Sequence, residues 1–152
     1  MLEAETNAEM GGAHDEPFIQ RIEMELRRAE RYRIFVSLVV LDLDFLRSQE
    51  GENGGSLMDG IVDLVATNIR VIDLFAVVGA SKVAVLMPET QRQGAEAAAK
   101  RLTTLIGSEI ETQTKQALEK MIPLEMASYP DAAGARSIKE ILSDLSEGAS
   151  LN

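Results

Sequence analysis

The chain contains no cysteine. That removes disulfide scaffolds, Cys-ligated zinc and thiol nucleophiles. It contains no tryptophan, and aromatics make up only 4% of it, so any core must be aliphatic and methionine-filled. Its single histidine, His14, follows Gly11-Gly12-Ala13 and reads as a solvated residue, not as the centre of a triad or a metal site. Basic residues are the minority. Lys+Arg is 15 against Asp+Glu 25, a net charge of −10. A surface so acidic disfavours nucleic acid, which is bound by displacing counterions with a basic stripe. It also disfavours anionic lipid. No apolar run approaches the ~20 residues of a membrane span. Met1 to Glu16 lacks the basic and apolar regions of a secretory signal. The expectation is a cytoplasmic protein with no nucleic-acid partner and no membrane insertion.

What is present suits one domain: 152 residues, 45% of them hydrophobic. Residues 1–16 are polar and without apolar period, and read as a flexible N-terminal tail; 17–146 read as the folded domain and 147–152 as a C-terminal tail. Phe18, Ile22, Leu26 and Ala29 recur at helical spacing, after a start at Pro17. Ile34 to Leu41 is short, apolar and β-branched, the pattern of a central strand buried on both faces. Gln49 to Ser56 is a glycine-rich loop, and Leu57 to Arg70 is helical. Leu74–Val78 and Val83–Met87 are short strands joined at hairpin length by Gly79-Ala80-Ser81-Lys82. Gln91 to Ile106 is an Ala-rich helix, and Ser108 to Lys120 is polar, helix and then loop. Ile122 to Ala127 is a weak strand that Pro123 assigns to an edge. Ser137 to Leu145 is a last helix. The middle of this order is βαββαβ, a ferredoxin-like core. The fold class is therefore α+β, with a mixed, mostly antiparallel sheet flanked by helices.

Three segments resemble GGDEF domains, the diguanylate cyclase family. Val39-Val40-Leu41-Asp42-Leu43-Asp44 is similar to the family's "LLDIDHFK" strand, Arg70-Val71-Ile72-Asp73-Leu74 to its "RETDL", and Val83 to Thr90 to its "FAVLLPET". The register runs without a gap from about Phe18 to Arg101, and Ala127-Ser128-Tyr129-Pro130 recovers it. The resemblance implies a nucleotidyl cyclase-like fold.

The signature itself is degenerate. Where active members carry Gly-Gly-Asp/Glu-Glu-Phe, this chain has Gly79, Ala80, Ser81, Lys82 and Val83. By the resemblance, the acidic residues of that turn hold divalent metal and support the attacking 3′-hydroxyl. Phosphoryl transfer relies on such metal to neutralise charge between the reacting oxygens. Asp42 matches the other metal carboxylate and Asp44 is also kept. Asp59 matches a guanine contact, Arg47 stands at the phosphate-side lysine, and Glu50 replaces the guanine-reading Asn. Asp42, Asp44, Arg47 and Asp59 thus form a vestigial nucleotide site with half its cradle missing. The expectation is loss of cyclase activity, no metal and no cofactor, with Lys82 either an exposed turn lysine or a built-in cation in the metal's place.

A second family feature is intact in pattern. Arg70-Val71-Ile72-Asp73 is an Arg-x-x-Asp, Leu74 to Val78 is the five-residue spacer to the signature, and Arg101 aligns with a further arginine. In the family this inhibitory site binds cyclic di-GMP. The residue types suit the ligand. A guanidinium fork matches guanine O6 and N7, and a carboxylate accepts from the N1 and N2 edge. Arg70, Asp73 and Arg101, with Lys100 nearby, are therefore the candidate cyclic di-GMP site. Helix-end and turn roles for Arg70 and Asp73 explain the same residues without a ligand. The two readings divide on one observation: an outward Arg70 and Asp73 beside Arg101 favours the receptor, and their consumption in an internal salt bridge counts against it.

The functional expectation is a catalytically inactive cyclic di-GMP receptor that relays to a protein partner. Three alternatives remain: a nucleotide-independent interaction module, a GTP-binding domain and a weak cyclase. Self-association as a homodimer is left open. No sensor or coiled-coil linker precedes the domain in this sequence and no "ALYxAK" end follows it, so it reads as a reduced stand-alone domain or a piece of a longer protein.

Overall fold

The computed structural model describes residues 15–49, 54–118, 120–131 and 133–151. The stretch read as an N-terminal tail lies almost wholly outside them. Element order is α1 (Asp15–Tyr32), β1 (Val36–Asp42), a 3-10 helix (Asp44–Gln49), α2 (Gly54–Thr67), β2 (Leu74–Val78), β3 (Lys82–Pro88), α3 (Arg92–Thr114), β4 (Leu124–Tyr129) and α4 (Ile138–Leu151).

The four strands run in the order β2-β3-β1-β4, with β1 pairing antiparallel to β3 and β4, and β2 antiparallel to β3. Every pairing is antiparallel, so the parallel component expected from the sequence is absent among the described residues. The reason lies in the crossovers. Helix α2 carries the chain from β1 over one strand position to β2, and antiparallel β3 fills the gap. Helix α3 does the same between β3 and β4.

The apolar run of β1 is buried on both faces, as its lack of alternation implies. Val39 and Leu41 pack with Leu57, Ile61 and Val65 of α2 and with Leu102, Ile106 and Ile110 of α3. Leu38 and Val40 pack on the opposite side with Phe18 and Ile22 of α1 and Ile138 and Ile141 of α4. Each such side chain contributes roughly 1.5–3 kcal/mol by leaving water. Two helix layers therefore sandwich the sheet.

Several boundaries differ from the sequence reading for local reasons. Helix α3 runs on to Thr114 because Ile106 and Ile110 keep the buried stripe going under a polar outer face. Strand β4 starts after Pro123 instead of containing it, and it is the sheet edge, as the proline demanded. Helix α4 extends to Leu151, past the expected end at Leu145 and through residues read as tail. Its start is fixed by a capping box: Ser137 Oγ accepts from the Glu140 N–H at 3.1 Å, and Ser137 N–H donates to Glu140 Oε1 at 3.0 Å. Arg136 then ties β4 to α4, pairing with Glu125 and, at 2.7 Å, with Asp144.

Candidate functional site

Antiparallel pairing gives the sheet two ends, and the sequence candidates divide between them. The end where β1 finishes holds Asp42, Asp44, Ser81 and Lys82. The end where β2 starts holds Arg70 and Asp73.

At the first end, the β2–β3 register pairs Val78 with Lys82 and leaves Gly79, Ala80 and Ser81 as the loop. Gly79 opens it at φ 66°, a conformation that favours glycine. On its other side, β3 places Lys82 directly across from Asp42. The Leu43 N–H donates to the Ser81 carbonyl at 2.9 Å, while the Asp42 N–H turns away to the Pro123 carbonyl, also at 2.9 Å. Asp42 and Lys82 are thus a pair not bonded through the main chain, the kind in which opposed side chains stand closest. The Asp44 N–H donates to Asp42 Oδ1 at 2.9 Å, and the buried Ser81 Oγ donates to Asp44 Oδ1 at 3.3 Å.

This donor set does not fit a divalent metal. A hard cation requires several oxygen ligands, chiefly carboxylates. Here two carboxylates stand with one neutral hydroxyl and with a lysine at the register position opposite Asp42, and no cluster of three metal-type side chains occurs among the described residues. Asp59 is exposed on α2. Arg47 lies in the 3-10 helix, and Glu50 lies outside the described residues. A cavity of about 690 Å³ opens beside this end, lined by Phe45, Gln116, Leu118, Lys120, Met121 and Pro123.

At the second end, Arg70 to Asp73 forms a closed turn: the Asp73 N–H donates to the Arg70 carbonyl at 3.0 Å. The Asp73 carboxylate folds back on the same turn. Oδ2 accepts from the Arg70 backbone N–H at 2.9 Å and from Nε at 3.1 Å, and Oδ1 accepts from Nη2 at 2.8 Å. Asp73 is only 2% exposed, whereas the Arg70 side chain is 49% exposed. The hydrogen bond with Asp73 raises the Arg70 pKa further above its ordinary range. Nη2 also donates to the Pro88 carbonyl at 3.1 Å and to Thr90 Oγ1. The turn between α2 and β2 is thereby buckled to the segment between β3 and α3.

Asp73 is consumed in an internal salt bridge, the arrangement that counts against its reading a guanine edge. Arg101 comes from α3. Its Nη2 donates to the Asn68 carbonyl just beyond α2, at 3.0 Å. Arg101 thus bonds the segment that carries Arg70, but Asp73 is not open to a shared ligand. Neither the 690 Å³ cavity nor a second of about 500 Å³ between α1 and α4 is lined by Arg70, Asp73 or Arg101.

The sequence reading missed the polar chain behind this turn. Thr90 Oγ1 donates to the Pro88 carbonyl at 2.9 Å. The Thr90 carbonyl accepts from Ser37 Oγ at 2.8 Å, and Ser37 Oγ meets Ser128 Oγ at 2.7 Å. All three hydroxyl residues are buried. The available signal was Ser37, the one polar side chain inside the apolar run of β1.

No protein-family profile matches the chain, and no curated protein matches it in sequence. Solved structures do match in fold. The active GGEEF domain of a diguanylate cyclase from Vibrio cholerae aligns at a TM-score of 0.60 and 18% identity, over 82% of this chain and 80% of that one. The GGDEF domain of DgcB from Caulobacter crescentus, solved in complex with c-di-GMP, aligns at 0.62 and 15% identity over 90% and 80%. The diguanylate cyclase SiaD of Pseudomonas aeruginosa, solved with its activator SiaC, aligns at 0.60 and 16% identity over 89% and 52%. The chain has the fold of GGDEF domains.

Proposed function

We propose that this GGDEF-fold domain binds rather than catalyses, and that its ligand is cyclic di-GMP, held at the Arg70–Asp73 turn. The observation that carries the first half is the register pair Asp42–Lys82. A cyclase needs carboxylates on both strands here to hold metal against a triphosphate. A lysine on the strand position opposite Asp42 brings a positive charge where that cation would sit. GTP binding without turnover is compatible with Lys82; turnover is not expected.

For the ligand, the supporting features are two guanidiniums at one short segment of an otherwise acidic protein, and a solved relative of this fold that holds c-di-GMP. The role of Asp73 changes from the one the resemblance implied. With both oxygens occupied by Arg70, it acts as the anchor that aims the arginine. Arg70 and Arg101 then take guanine O6 and N7 or phosphate oxygens. A relayed signal would pass to a protein partner; a relative of this fold has been solved with its activator. The closed Asp73 carboxylate also favours a second reading, an interaction module that needs no nucleotide.

Isothermal titration separates the two. Cyclic di-GMP is expected to bind in the micromolar range, to be lost in Arg70→Ala and to be weakened in Arg101→Ala. No heat at millimolar ligand leaves the nucleotide-independent module. Pyrophosphate release from GTP and Mg²⁺, abolished by Asp42→Ala, overturns the non-catalytic reading.

A further inference from the structure

The two residues between Arg70 and Asp73 are Val71 and Ile72, at the corner of the turn. Such corners are ordinarily built from Gly, Asn, Asp, Ser or Pro, which suit the backbone and the water around it. Here two adjacent β-branched residues stand out from the surface, Val71 at 86% exposure and Ile72 at 49%. Single exposed aliphatics are ordinary, but a contiguous apolar tip on a locked turn serves no core. The Arg70–Asp73 fork and the Asp73–Arg70 main-chain bond fix the tip before anything touches it, so docking there costs little ordering entropy.

Of the cations near the tip, Arg70 is paired with Asp73 and Arg28 with Glu89, so the net positive charge rests on Arg101 and Lys100. Arg70 is half exposed beside it, and Arg101 reaches Asn68, two residues before the turn. Arg28 meets Glu89 at 3.5 Å, and Glu89 lies close enough to Arg70 to raise its pKa. Arg101 and its neighbour Lys100 enter none of the ion pairs among the described residues. On a chain of net charge −10, this is a local reversal of sign around an apolar point.

We propose that the Val71–Ile72 tip and its flanking guanidiniums are a protein-docking surface for an acidic segment that carries aliphatic or aromatic anchors. The anchors cover Val71 and Ile72; the carboxylates face Arg70 and Arg101. Charge complementarity selects this occupant. A second copy meeting tip to tip would set Arg70 and Arg101 against their own counterparts. An anionic bilayer would be repelled by the rest of the molecule and gain only two aliphatic side chains. The tip supplies the centre of an interface, with a rim of charges that set orientation and association rate. The surface stands without nucleotide and does not rest on cyclic di-GMP binding.

The test is methyl NMR on the full chain, with Val and Ile labelled and no nucleotide added. The probes are three synthetic peptides: one of Asp and Glu with two Leu and one Phe, one with the same anchors but Lys for every acid, and one acidic with Ser for every anchor. The first should shift the Val71 and Ile72 methyls saturably, and the other two should not. Val71→Asp and Arg101→Glu should each weaken the first peptide at least tenfold. Both positions are on the surface, and an unchanged spectrum elsewhere confirms folding. The proposal fails if the first peptide gives no saturable shift, if the lysine peptide binds as well, or if the shifts map away from residues 70–73. It fails equally if phosphatidylserine vesicles or self-association, and not the peptide, respond to Val71→Asp. The nucleotide proposal is read separately, by calorimetry on Arg70→Ala, so either can fall alone.

Discussion

The two ends of the sheet have been built by opposite rules. At the Asp42 end, charged groups are gathered at the strand ends. Asp42 accepts from the Asp44 N–H, Asp44 accepts from Ser81, and Lys82 is the ladder partner of Asp42. At the Arg70 end, every carboxylate oxygen of Asp73 is used, and the arginine that uses them goes on to bond a carbonyl and a threonine. The second is a closed structural clasp that presents something else. The contrast teaches that a motif's pattern does not by itself fix what its side chains do. An Arg-x-x-Asp can survive because its two side chains hold each other.

Breaking the clasp should therefore cost far more than breaking the cradle. Asp73→Ala removes the buried acceptor of three hydrogen bonds. It is expected to lower stability by about 2–3 kcal/mol in urea denaturation, less than for a fully buried pair because Arg70 is half in water. Asp42→Ala, by contrast, should stay within about 1 kcal/mol of wild type. Equal losses at the two ends would erase the distinction. Next in size is Ser37→Ala. It strips the hydroxyl from the buried Thr90 carbonyl and from Ser128, and is expected to cost about 1–2 kcal/mol. A neutral result would mean that the polar chain behind Arg70 contributes nothing. Smaller again is Ser137→Ala, at about 1 kcal/mol for loss of a helix cap.

The smallest effect is one of pH. Hydrogen bonds from Ser137 hold the Glu140 carboxyl below its ordinary 4.5. A carboxyl whose folded pKa is depressed adds stability that is present above the unfolded value and is lost as pH falls through the folded one. Glu140→Gln should accordingly flatten the acid limb of the stability profile below about pH 4.5 and leave stability near neutrality less affected than Ser137→Ala does. An unchanged acid limb would show that this capping carboxylate does not titrate differently on folding.

Much of the architecture was legible because burial writes itself into the chain as pattern. The β-branched run to Leu41, the paired short strands around Gly79 and the Ala-rich stretch from Gln91 each demand one element type. The failures have physical causes as well. Pro123 marked an edge strand correctly, yet its missing N–H moved the start of that strand to Leu124. The polar Ser108–Thr114 stretch was read as helix running into loop, and it is the end of α3, although only Ile110 within it is buried. The candidate site was legible as a list of side chains but not as directions. Nothing in Arg-Val-Ile-Asp says whether the aspartate faces outward or back to its own arginine. That choice depends on Thr90 and the Pro88 carbonyl, which the fold brings in from far along the chain. The exposure of Val71 was not legible either, since the sequence placed it between helix and strand without saying which way its side chain turns.

The central claim is that the molecule works by binding at the Arg70 end and not by chemistry at the Asp42 end. The most direct measurement is an NMR titration of the labelled full chain with cyclic di-GMP, following the Arg70 and Arg101 Nε–H signals together with the Ser81 and Lys82 amides. The account predicts saturable shifts at Arg70 and Arg101 with the hairpin amides unmoved. Shifts confined to Ser81 and Lys82, or no shift at the guanidiniums at millimolar ligand, would contradict it.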